Sequence, residues 1–353
     1  MLRKIEYTDN HELVFLDQTA LPFKKKLIKT KNYKEVADSI RQLKIRGAPL
    51  IGIAAAYGIA LAVFNFRGIN RRNFDIHFLR VCEEFKSTRP TARNLFYAVG
   101  RMENVFNKNI DKDIDEIKEC LLREADEIFN EDIELCARIG INGSELIGSE
   151  MKILTHCNAG ELATGGTGTA LGIIYTAARQ GKQVYVYVCE TRPLLQGARL
   201  TAYELSENGI DHCLVIDSLA ADLMRNGEVD CVIIGADRIA SNGDVINKVG
   251  SYSHAVNCRF HDIPFYVAAP GSTIDFDMQE GTGVEIEIRN EEELRFINKE
   301  RIVDSSTPVF NPAFDLIPNE LVSAIVTEYK IHYPPYNFSS IRHMFSSAVH
   351  RGE

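Results

Sequence analysis

The chain has 353 residues, of which 45% are apolar and 25% are charged, and it carries a formal charge of -9. This composition is that of an ordinary folded protein, and the length predicts two domains with a substantial buried core. The acidic balance argues against a protein that coats nucleic acid, because phosphate backbones are bound by basic surfaces.

The first part of the chain predicts a small, mostly helical domain. The first 30 residues alternate apolar and polar side chains, which predicts short strands or a hairpin. Apolar residues then recur at helical spacing, and Pro90 suits the first turn of a helix. The predicted helices cover Val36–Leu43, Leu50–Phe64, Phe74–Phe85, Thr91–Val105 and Asp111–Leu146. The Leu50–Phe64 run is shorter than the ~20 residues that span a bilayer, so we expect a core helix and no membrane partner.

After Met151 the pattern changes to short apolar runs that alternate with helix-length segments. The predicted strands are Lys152–His156, Gln183–Cys189, His212–Ile216, Cys231–Gly235 and Pro264–Ala269. The predicted helices between them are Gly168–Ala178, Gln196–Glu207 and Ala220–Asn226. This alternation predicts an α/β fold: a small helical domain with short strands over residues 1–146, and a Rossmann-like, doubly wound parallel sheet over residues 147–353.

The eight cysteines are scattered along the chain and include no C-x-x-C pair. This spacing predicts neither a zinc site nor a disulfide framework, and it favours a reducing cytoplasm. The segment Met1–Tyr7 has no apolar run of the signal-peptide type, which leads to the same expectation.

Two chemically useful side chains follow predicted strands, where ligands bind in open α/β sheets. Cys157 follows the first strand, and a thiol near helix-end amides loses its proton more readily than a free thiol of pKa about 8.5. Asp237 follows an apolar strand, and a carboxyl group against apolar walls can keep its proton and act as a general acid. The structural alternatives are a small buried apolar side chain for Cys157 and a cap or a partner of Arg238 for Asp237. His156 is predicted to point to the opposite face, so we do not expect it to be the base for Cys157.

The segment Gly166–Leu171 lies between a strand and a helix and partly matches a dinucleotide-binding fingerprint. Its third glycine is replaced by Leu171, which makes a dehydrogenase the least favoured class of enzyme. The glycines still predict one of two structures. Their amides form a nest that holds an anion such as phosphate, or the segment is a tight turn that packs a helix against the sheet.

Three further segments could contact an anionic substrate. Arg46, Gly47 and Ala48 precede the Leu50 helix, and Arg89 precedes another helix, so each segment places a cation at a helix start. Asn247 and Lys248 follow the Asp237 segment and add an amide and a cation. Each segment alone is more often a surface cap or an ion pair, and only their combination points to a site.

Taken together, these segments resemble the S-methyl-5-thioribose-1-phosphate isomerases. The matching runs, in the order in which that family has them, are IRGAP from Ile45, RPTA from Arg89, THCNAG from Thr155, CETRP from Cys189, QGARLTA from Gln196, GADRI from Gly235, NKVG from Asn247 and VFNPAFD from Val309. The wider superfamily also contains related sugar-phosphate isomerases and regulatory subunits of an exchange factor in translation initiation.

The resemblance implies a homodimeric, cytoplasmic enzyme of methionine salvage, an aldose–ketose isomerase that acts on a pentose 1-phosphate without metal or cofactor. It implies that Cys157 is the catalytic thiol and Asp237 the proton donor. The implied substrate-binding residues are Arg46, Gly47, Ala48, Arg89, Gln196, Asn247 and Lys248. Gln196 enters the site through the resemblance alone.

Two positions depart from the pattern of the family. Thr167 stands where an aromatic residue is expected, and His254 stands where an apolar residue is usual. These departures leave the group on C5 of the sugar open, so the alternative activities are isomerisation of 5-deoxyribose 1-phosphate or ribose 1,5-bisphosphate. A non-catalytic regulatory subunit is a further alternative, and the presence of both Cys157 and Asp237 argues against it.

Overall fold

The computed structural model describes residues 4–89, 92–297 and 300–342, and the chain divides into two compact units. The first unit takes the described residues of Met1–Arg138, Ala159–Gly172 and Ser339–Glu353. The second unit takes Ile139–Asn158 and Ile173–Phe338. The sequence-based domain boundary near residue 147 stays a prediction.

The first unit begins with an antiparallel sheet of three strands and continues as helices. The strands are β1 (Ile5–Tyr7), β2 (Leu13–Leu16) and β3 (Leu27–Thr30), in the order β1-β2-β3. The helices are α1 (Tyr33–Arg41), α2 (Ala48–Phe64), α3 (Arg71–Lys86), α4 (Arg93–Lys108) and α5 (Ile114–Ser144), of which α5 continues past the last residue of this unit's first segment. The predicted start of α4 at Pro90 and Thr91 lies outside the described residues.

The centre of the first unit is helix α2, in which every side chain from Leu50 to Val63 is buried. A helix that is apolar on all sides is stable in water only when other elements cover it completely. The buried faces of α1, α3 and α4 do so, and they belong to the same apolar core. Among the described residues, no helix is long and apolar enough to cross a bilayer.

The second unit is built on a twisted central sheet, which confirms the predicted doubly wound fold. Its strands are β4 (Glu150–Thr155), β5 (Gln183–Cys189), β6 (His212–Val215), β7 (Cys231–Ile234), β10 (Phe265–Ala268), β15 (Ala324–Val326) and β16 (Ile331–His332). Their order is β16-β15-β10-β7-β4-β5-β6, with every pair parallel except β15 and β16. The chain therefore runs from β4 through β5 to β6 at one edge of the sheet. It then returns to the other side of β4, where β7, β10, β15 and β16 form the second half.

Helices connect these strands, as expected for parallel neighbours. They are α6 (Ala170–Arg179), α7 (Ala202–Glu207), α8 (Ala220–Arg225) and α9 (Ser251–Phe260). The predicted helix Gln196–Glu207 is instead a π-helical turn over Gly197–Thr201 followed by α7.

A second, smaller sheet follows β7 and was not predicted from the sequence. Its order is β11-β8-β9-β14, and its strands are β8 (Arg238–Ala240), β9 (Val245–Lys248), β11 (Ile274–Asp275) and β14 (Phe314–Ile317). The helix α10 (Glu292–Arg295) and the pair β12 (Phe296–Ile297) and β13 (Glu300–Arg301) complete the described elements. Runs of two to four residues are too short to show the period-2 alternation that identifies a strand.

Candidate active site

The candidate active site of the second unit lies at the carboxyl ends of β4 and β7. The two strands are parallel neighbours, with Leu154 opposite Val232, and Thr155 Oγ1 donates a hydrogen bond to the Ile233 carbonyl oxygen at 2.8 Å. Cys157 follows β4 and Asp237 follows β7, so both leave the same edge of the sheet. The strand order reverses between these two strands, and this reversal point is where open α/β sheets bind their ligands.

Cys157 has a left-handed backbone, with φ of 63°, which is uncommon for a residue other than glycine. Hydrogen bonds hold its peptide groups on both sides. Its N–H donates to Thr191 Oγ1 at 2.9 Å, and its carbonyl oxygen accepts a hydrogen bond from Thr201 Oγ1 at 2.6 Å. Surrounding contacts that over-determine a strained backbone are typical of residues held for function.

A buried polar network fixes Thr201 in turn. The Asn158 side-chain amide donates to Thr201 Oγ1 at 3.2 Å and to Glu204 Oε1 at 2.8 Å. The Tyr175 hydroxyl donates to Glu204 Oε2 at 3.3 Å, and the Glu204 side chain is fully buried. Sequence reasoning missed this network because its members come from separate segments of the chain.

The π-helical turn over Gly197–Thr201 presents Gln196 at the same edge of the sheet. Single π-helical turns are frequent at functional sites. A Cβ atom on Gly197 would overlap the carbonyl oxygen of Cys189, so the close approach of the turn to β5 requires glycine. Gln196 is buried, and its Oε1 has no hydrogen-bond partner among the described residues. A buried acceptor without a donor is costly, which makes this oxygen a candidate to accept a hydrogen bond from a ligand.

Asp237, Asn247 and Lys248 belong to one hairpin. The Asp237 N–H donates to the Ile246 carbonyl oxygen at 2.9 Å, which joins the residue after β7 to β9. The Asn247 amide donates to Ser251 Oγ at 2.9 Å. The Lys248 ammonium donates to the Ala313 carbonyl oxygen at 3.0 Å, and both Asn247 and Lys248 are buried. The structure thus brings the carboxyl group, the amide and a buried cation onto one rigid element.

Asp315 is a partly buried carboxyl group that sequence reasoning did not select as a site residue. It lies on β14 directly opposite Asn247 of β9. Its Oδ2 accepts the N–H of Gly250 at 2.7 Å, while its Oδ1 is buried without a hydrogen-bond partner among the described residues. Burial raises the pKa of Asp315 to about 6, against the opposing effects of backbone N–H groups and of the Lys248 charge. Only the pairing of β14 with β9 reveals its position.

Replacing Asp315 by asparagine is expected to remove one source of pH dependence from the stability. The pKa of Asp315 is about 6 in the folded protein and 3.8 for an unperturbed carboxyl group, as in the unfolded chain. The folded state therefore binds this proton more tightly. The free energy of unfolding should therefore fall as the pH rises from about 4 to about 6, by up to about 3 kcal/mol for a difference of about two units. Urea unfolding of both proteins at pH 4.5 and pH 7.5 measures this loss, which the variant should lack. Parallel behaviour of the two proteins would contradict the prediction, and Asp277→Asn at an exposed aspartate is the control.

The remaining predicted site residues, Arg46, Gly47, Ala48 and Arg89, lie in the first unit. Gly47 precedes α2 with φ of 96°, and a Cβ atom there would overlap the backbone of Ala163. Glycine is therefore required at this position. Ala48 is the first residue of α2, and Arg89 directly precedes the undescribed residues 90–91. The arginines thus flank the helical core of the first unit, whereas the thiol and the carboxyl group belong to the second.

The glycine-rich segment before α6 is held by hydrogen bonds of its backbone N–H groups. The N–H groups of Thr169 and Leu171 both donate to the Ala159 carbonyl oxygen, at 3.0 and 3.3 Å. The Gly165 N–H donates to the buried Asp132 carboxylate at 2.6 Å. These amides are therefore satisfied within the first unit. The bonds of Thr169 and Leu171 fit the packing alternative, and the choice between a nest and a turn for residues 166–168 stays a prediction.

Comparison with known proteins decides the family. A sequence profile described as "Initiation factor 2 subunit family" matches residues 44–334. A methylthioribose-1-phosphate isomerase of Caldicellulosiruptor saccharolyticus is 48% identical, over 95% of this chain and 98% of that protein. One from Acetivibrio thermocellus is 49% identical, over 95% of this chain and 98% of that protein. The chain belongs to the methylthioribose-1-phosphate isomerase family.

Solved structures share this fold, and one of them is named as an isomerase of the same kind. A 5-methylthioribose 1-phosphate isomerase from Pyrococcus horikoshii superposes with a TM-score of 0.90 at 39% identity, over 98% of this chain and 96% of that one. A structure from A. fulgidus described as the delta subunit of translation initiation factor eIF-2B superposes with a TM-score of 0.84 at 45% identity, over 95% of this chain and 97% of that one. The family resemblance inferred from the sequence motifs is confirmed, as is the α/β fold.

Proposed function

We propose that this isomerase converts S-methyl-5-thio-α-D-ribose 1-phosphate to S-methyl-5-thio-D-ribulose 1-phosphate in methionine salvage. One observation carries the proposal in the structure: Cys157 and Asp237 follow the two neighbouring strands between which the strand order reverses. A thiol and a carboxyl group at one sheet edge are the pair that a proton-shuttling isomerisation needs. The full-length similarity to isomerases of this name supports the substrate.

The chemistry of such a substrate explains why a proton donor is needed. The C1 hydroxyl is locked as a phosphate ester, so the ring cannot open to a free aldehyde as an ordinary aldose does. The bond between C1 and the ring oxygen must break while the phosphate stays, and the ring oxygen must gain a proton. We assign that proton to Asp237.

The second step moves hydrogen from C2 to C1, and we assign its control to Cys157. In a proton-transfer mechanism the thiolate removes the C2 proton and returns it to C1 through an enol phosphate, while the C2 hydroxyl loses its proton and thereby replaces the one that Asp237 gave to the ring oxygen. In a hydride mechanism the hydrogen moves directly, and the thiol stabilises charge or relays a hydroxyl proton. Both mechanisms need a site without stray water, which would hydrolyse the activated glycosyl phosphate.

The other site residues would bind and orient the sugar phosphate. The unpartnered Gln196 Oε1 suits a sugar hydroxyl, and the buried Asn247 and Lys248 offer donors beside Asp237. Arg46 and Arg89, with the backbone of Gly47 and Ala48 at the start of α2, offer positive charge to a phosphate.

Isotope labelling separates the two mechanisms. Substrate with deuterium at C2 is converted in light water, and the label at C1 of the product is measured by mass spectrometry. A direct hydride shift retains the label fully, so substantial loss would exclude it. Full retention would instead favour the hydride mechanism.

A turnover assay tests the substrate. Methylthioribose 1-phosphate, 5-deoxyribose 1-phosphate and ribose 1,5-bisphosphate are compared by ketose formation, with Cys157→Ala as the control. We expect the highest kcat/KM for the thio-sugar. A preference for another sugar would leave the proposed mechanism standing but would contradict the assignment to methionine salvage. Binding without turnover would support a regulatory subunit, the alternative suggested by the name of the A. fulgidus neighbour.

Removing the hydroxyl that holds the Cys157 peptide is expected to slow turnover rather than weaken binding. Thr201→Val deletes the hydrogen bond to the Cys157 carbonyl oxygen, and a bond of this kind contributes about 1 kcal/mol. We expect kcat to fall about tenfold while KM changes less. Thr201→Ser keeps the hydroxyl and should restore kcat. An unchanged kcat in Thr201→Val would show that this bond does not position the thiol.

We further propose that the enzyme is a cytoplasmic homodimer with catalysis in the domain of residues 147–353. All eight cysteines are free, which supports a reducing compartment. Tyr252, Val256 and Phe260 repeat every four residues on α9 and are 46, 40 and 81% exposed. This apolar stripe supports an interface between copies of the chain. Sedimentation equilibrium of the native protein tests the dimer.

A further inference from the structure

A second cluster of reactive side chains lies in the second unit, and the proposed reaction does not use it. It consists of His156, which follows β4, Cys189 at the end of β5, and His254 on α9. One nitrogen or sulfur atom from each lies within 4.8 Å of the others, and all three residues are at most 2% exposed. Buried imidazole and thiol groups that converge in this way are the donor set that zinc prefers.

The hydrogen bonds of the two imidazoles leave one lone pair without a donor. His156 Nε2 lies 2.9 Å from the Val249 carbonyl oxygen, so it carries a proton, and Nδ1 of the neutral ring carries a lone pair. His254 Nε2 lies 3.3 Å from that Nδ1. If His254 carries its proton on Nε2, its Nδ1 is a buried acceptor with no partner among the described residues. If the proton is on Nδ1, two lone pairs face each other.

Neither tautomer of His254 is satisfied by the protein alone. A cation between His156 Nδ1 and His254 Nε2 removes the repulsion between two facing lone pairs and leaves the proton of His254 on Nδ1. Neutral imidazole is the form that binds metal ions.

Asp217 offers a fourth ligand atom, a carboxylate oxygen, on the side of the cluster that faces solvent. It follows β6, and its Oδ1 lies 3.9 Å from His156 Nδ1. Its charge also acts electrostatically on both Cys189 and His254. Its side chain is 28% exposed, so it connects the buried cluster with solvent. Backbone N–H groups of Thr191 and Arg192 orient its carboxylate, each at 2.7 Å.

We propose that His156, Cys189, His254 and Asp217 form a binding site for a divalent zinc ion. The ion forms bonds to two imidazole nitrogens, the Cys189 sulfur and one Asp217 oxygen, and the Cys189 thiol releases its proton to solvent. The thiolate and the carboxylate together balance the charge of the ion.

The spacing of the two imidazole nitrogens matches a tetrahedral site. Two nitrogens that each lie about 2.0–2.1 Å from zinc at a tetrahedral angle are about 3.3 Å apart, and the two imidazole nitrogens lie 3.3 Å apart. His156 donates its other ring N–H to the Val249 carbonyl oxygen, the outer contact that orients metal-binding histidines. A search for C-x-x-C spacing cannot find this site because its ligands come from four separate elements.

Metal stoichiometry tests the proposal. The full-length protein is stripped with a chelator, dialysed against micromolar zinc chloride and analysed by plasma mass spectrometry. We expect one zinc ion per chain, and at least about tenfold weaker binding in His254→Leu and Cys189→Ala. Cys231→Ala removes a cysteine that is equally buried in a strand and should keep the ion. Cys157→Ser should also keep it, which excludes the reactive thiol as the ligand.

Cobalt spectroscopy of the unmodified protein covers the case in which a variant does not fold. Cobalt at this site should show tetrahedral d–d bands and a thiolate-to-cobalt charge-transfer band. Absence of zinc from the native protein would overturn the proposal. So would zinc binding that survives both ligand substitutions, or that is lost in Cys157→Ser. A cobalt spectrum without the thiolate band would overturn it as well. None of these results depends on the identity of the substrate.

Discussion

Asp237→Asn is expected to lower kcat by about 10²–10⁴-fold, the usual effect of removing a general acid. Asparagine has the same shape and keeps the backbone bond from Asp237 to the Ile246 carbonyl oxygen, so the fold around β7 and β9 should not change. What the variant lacks is a proton for the ring oxygen when its bond to C1 breaks. KM should change much less than kcat.

Steady-state kinetics with methylthioribose 1-phosphate measure this effect. Asp222→Asn is a suitable control because Asp222 is an exposed aspartate that pairs with Arg225 on α8. It should turn over at the native rate. If Asp237→Asn also turned over within a few-fold of the native rate, Asp237 would not be the proton donor.

Cys157→Ala is expected to reduce kcat by about 10³-fold or more, because it removes the group that controls the hydrogen at C2. Thr191 and Thr201 still hold the peptide groups on either side of the residue, so the binding geometry should survive. The substrate should therefore bind to the variant with near-native affinity. Calorimetric titration of the inactive variant measures that affinity directly.

Alkylation provides a second measurement on Cys157. Iodoacetamide should inactivate the native enzyme in step with the labelling of Cys157, and substrate should protect that residue while the partly exposed Cys120 and Cys213 react regardless. Cys231→Ala, which removes a buried thiol at the amino end of β7, should leave turnover unchanged. Substantial activity in Cys157→Ala would contradict both mechanisms described above.

Five of the seven strands of the central sheet could be predicted, and the clearest case is β7 at its middle. All four residues of β7 are buried, and such a run is apolar at every position. The strand ends then indicated Cys157 and Asp237 as candidates, since the carboxyl edge of a parallel sheet collects the functional groups. The identity of those two positions therefore follows from a local pattern and one rule of topology.

The supports of the site could not be predicted in this way. Thr191, Thr201 and Glu204 act through contacts with residues more than thirty positions away, as the bonds from Cys157 and Asn158 show. Asp315 joins the site only through the register of β14 on β9. Register between distant short strands is a tertiary property, and no periodicity within either strand specifies it.

The pairing of β9 with β14 has a consequence for synthesis on the ribosome. The chain between Gly250 and Asp315 must be made before the hydrogen bond that joins them can form, at a separation of 65 residues. A nascent chain that ends soon after Lys248 already contains Cys157 and Asp237. It lacks β14, the strand that pairs with the hairpin of Asp237. Because long-range strand pairing forms late, the enzyme should gain activity only when almost the whole second unit has emerged. Prematurely terminated chains are therefore expected to have no isomerase activity in the cell.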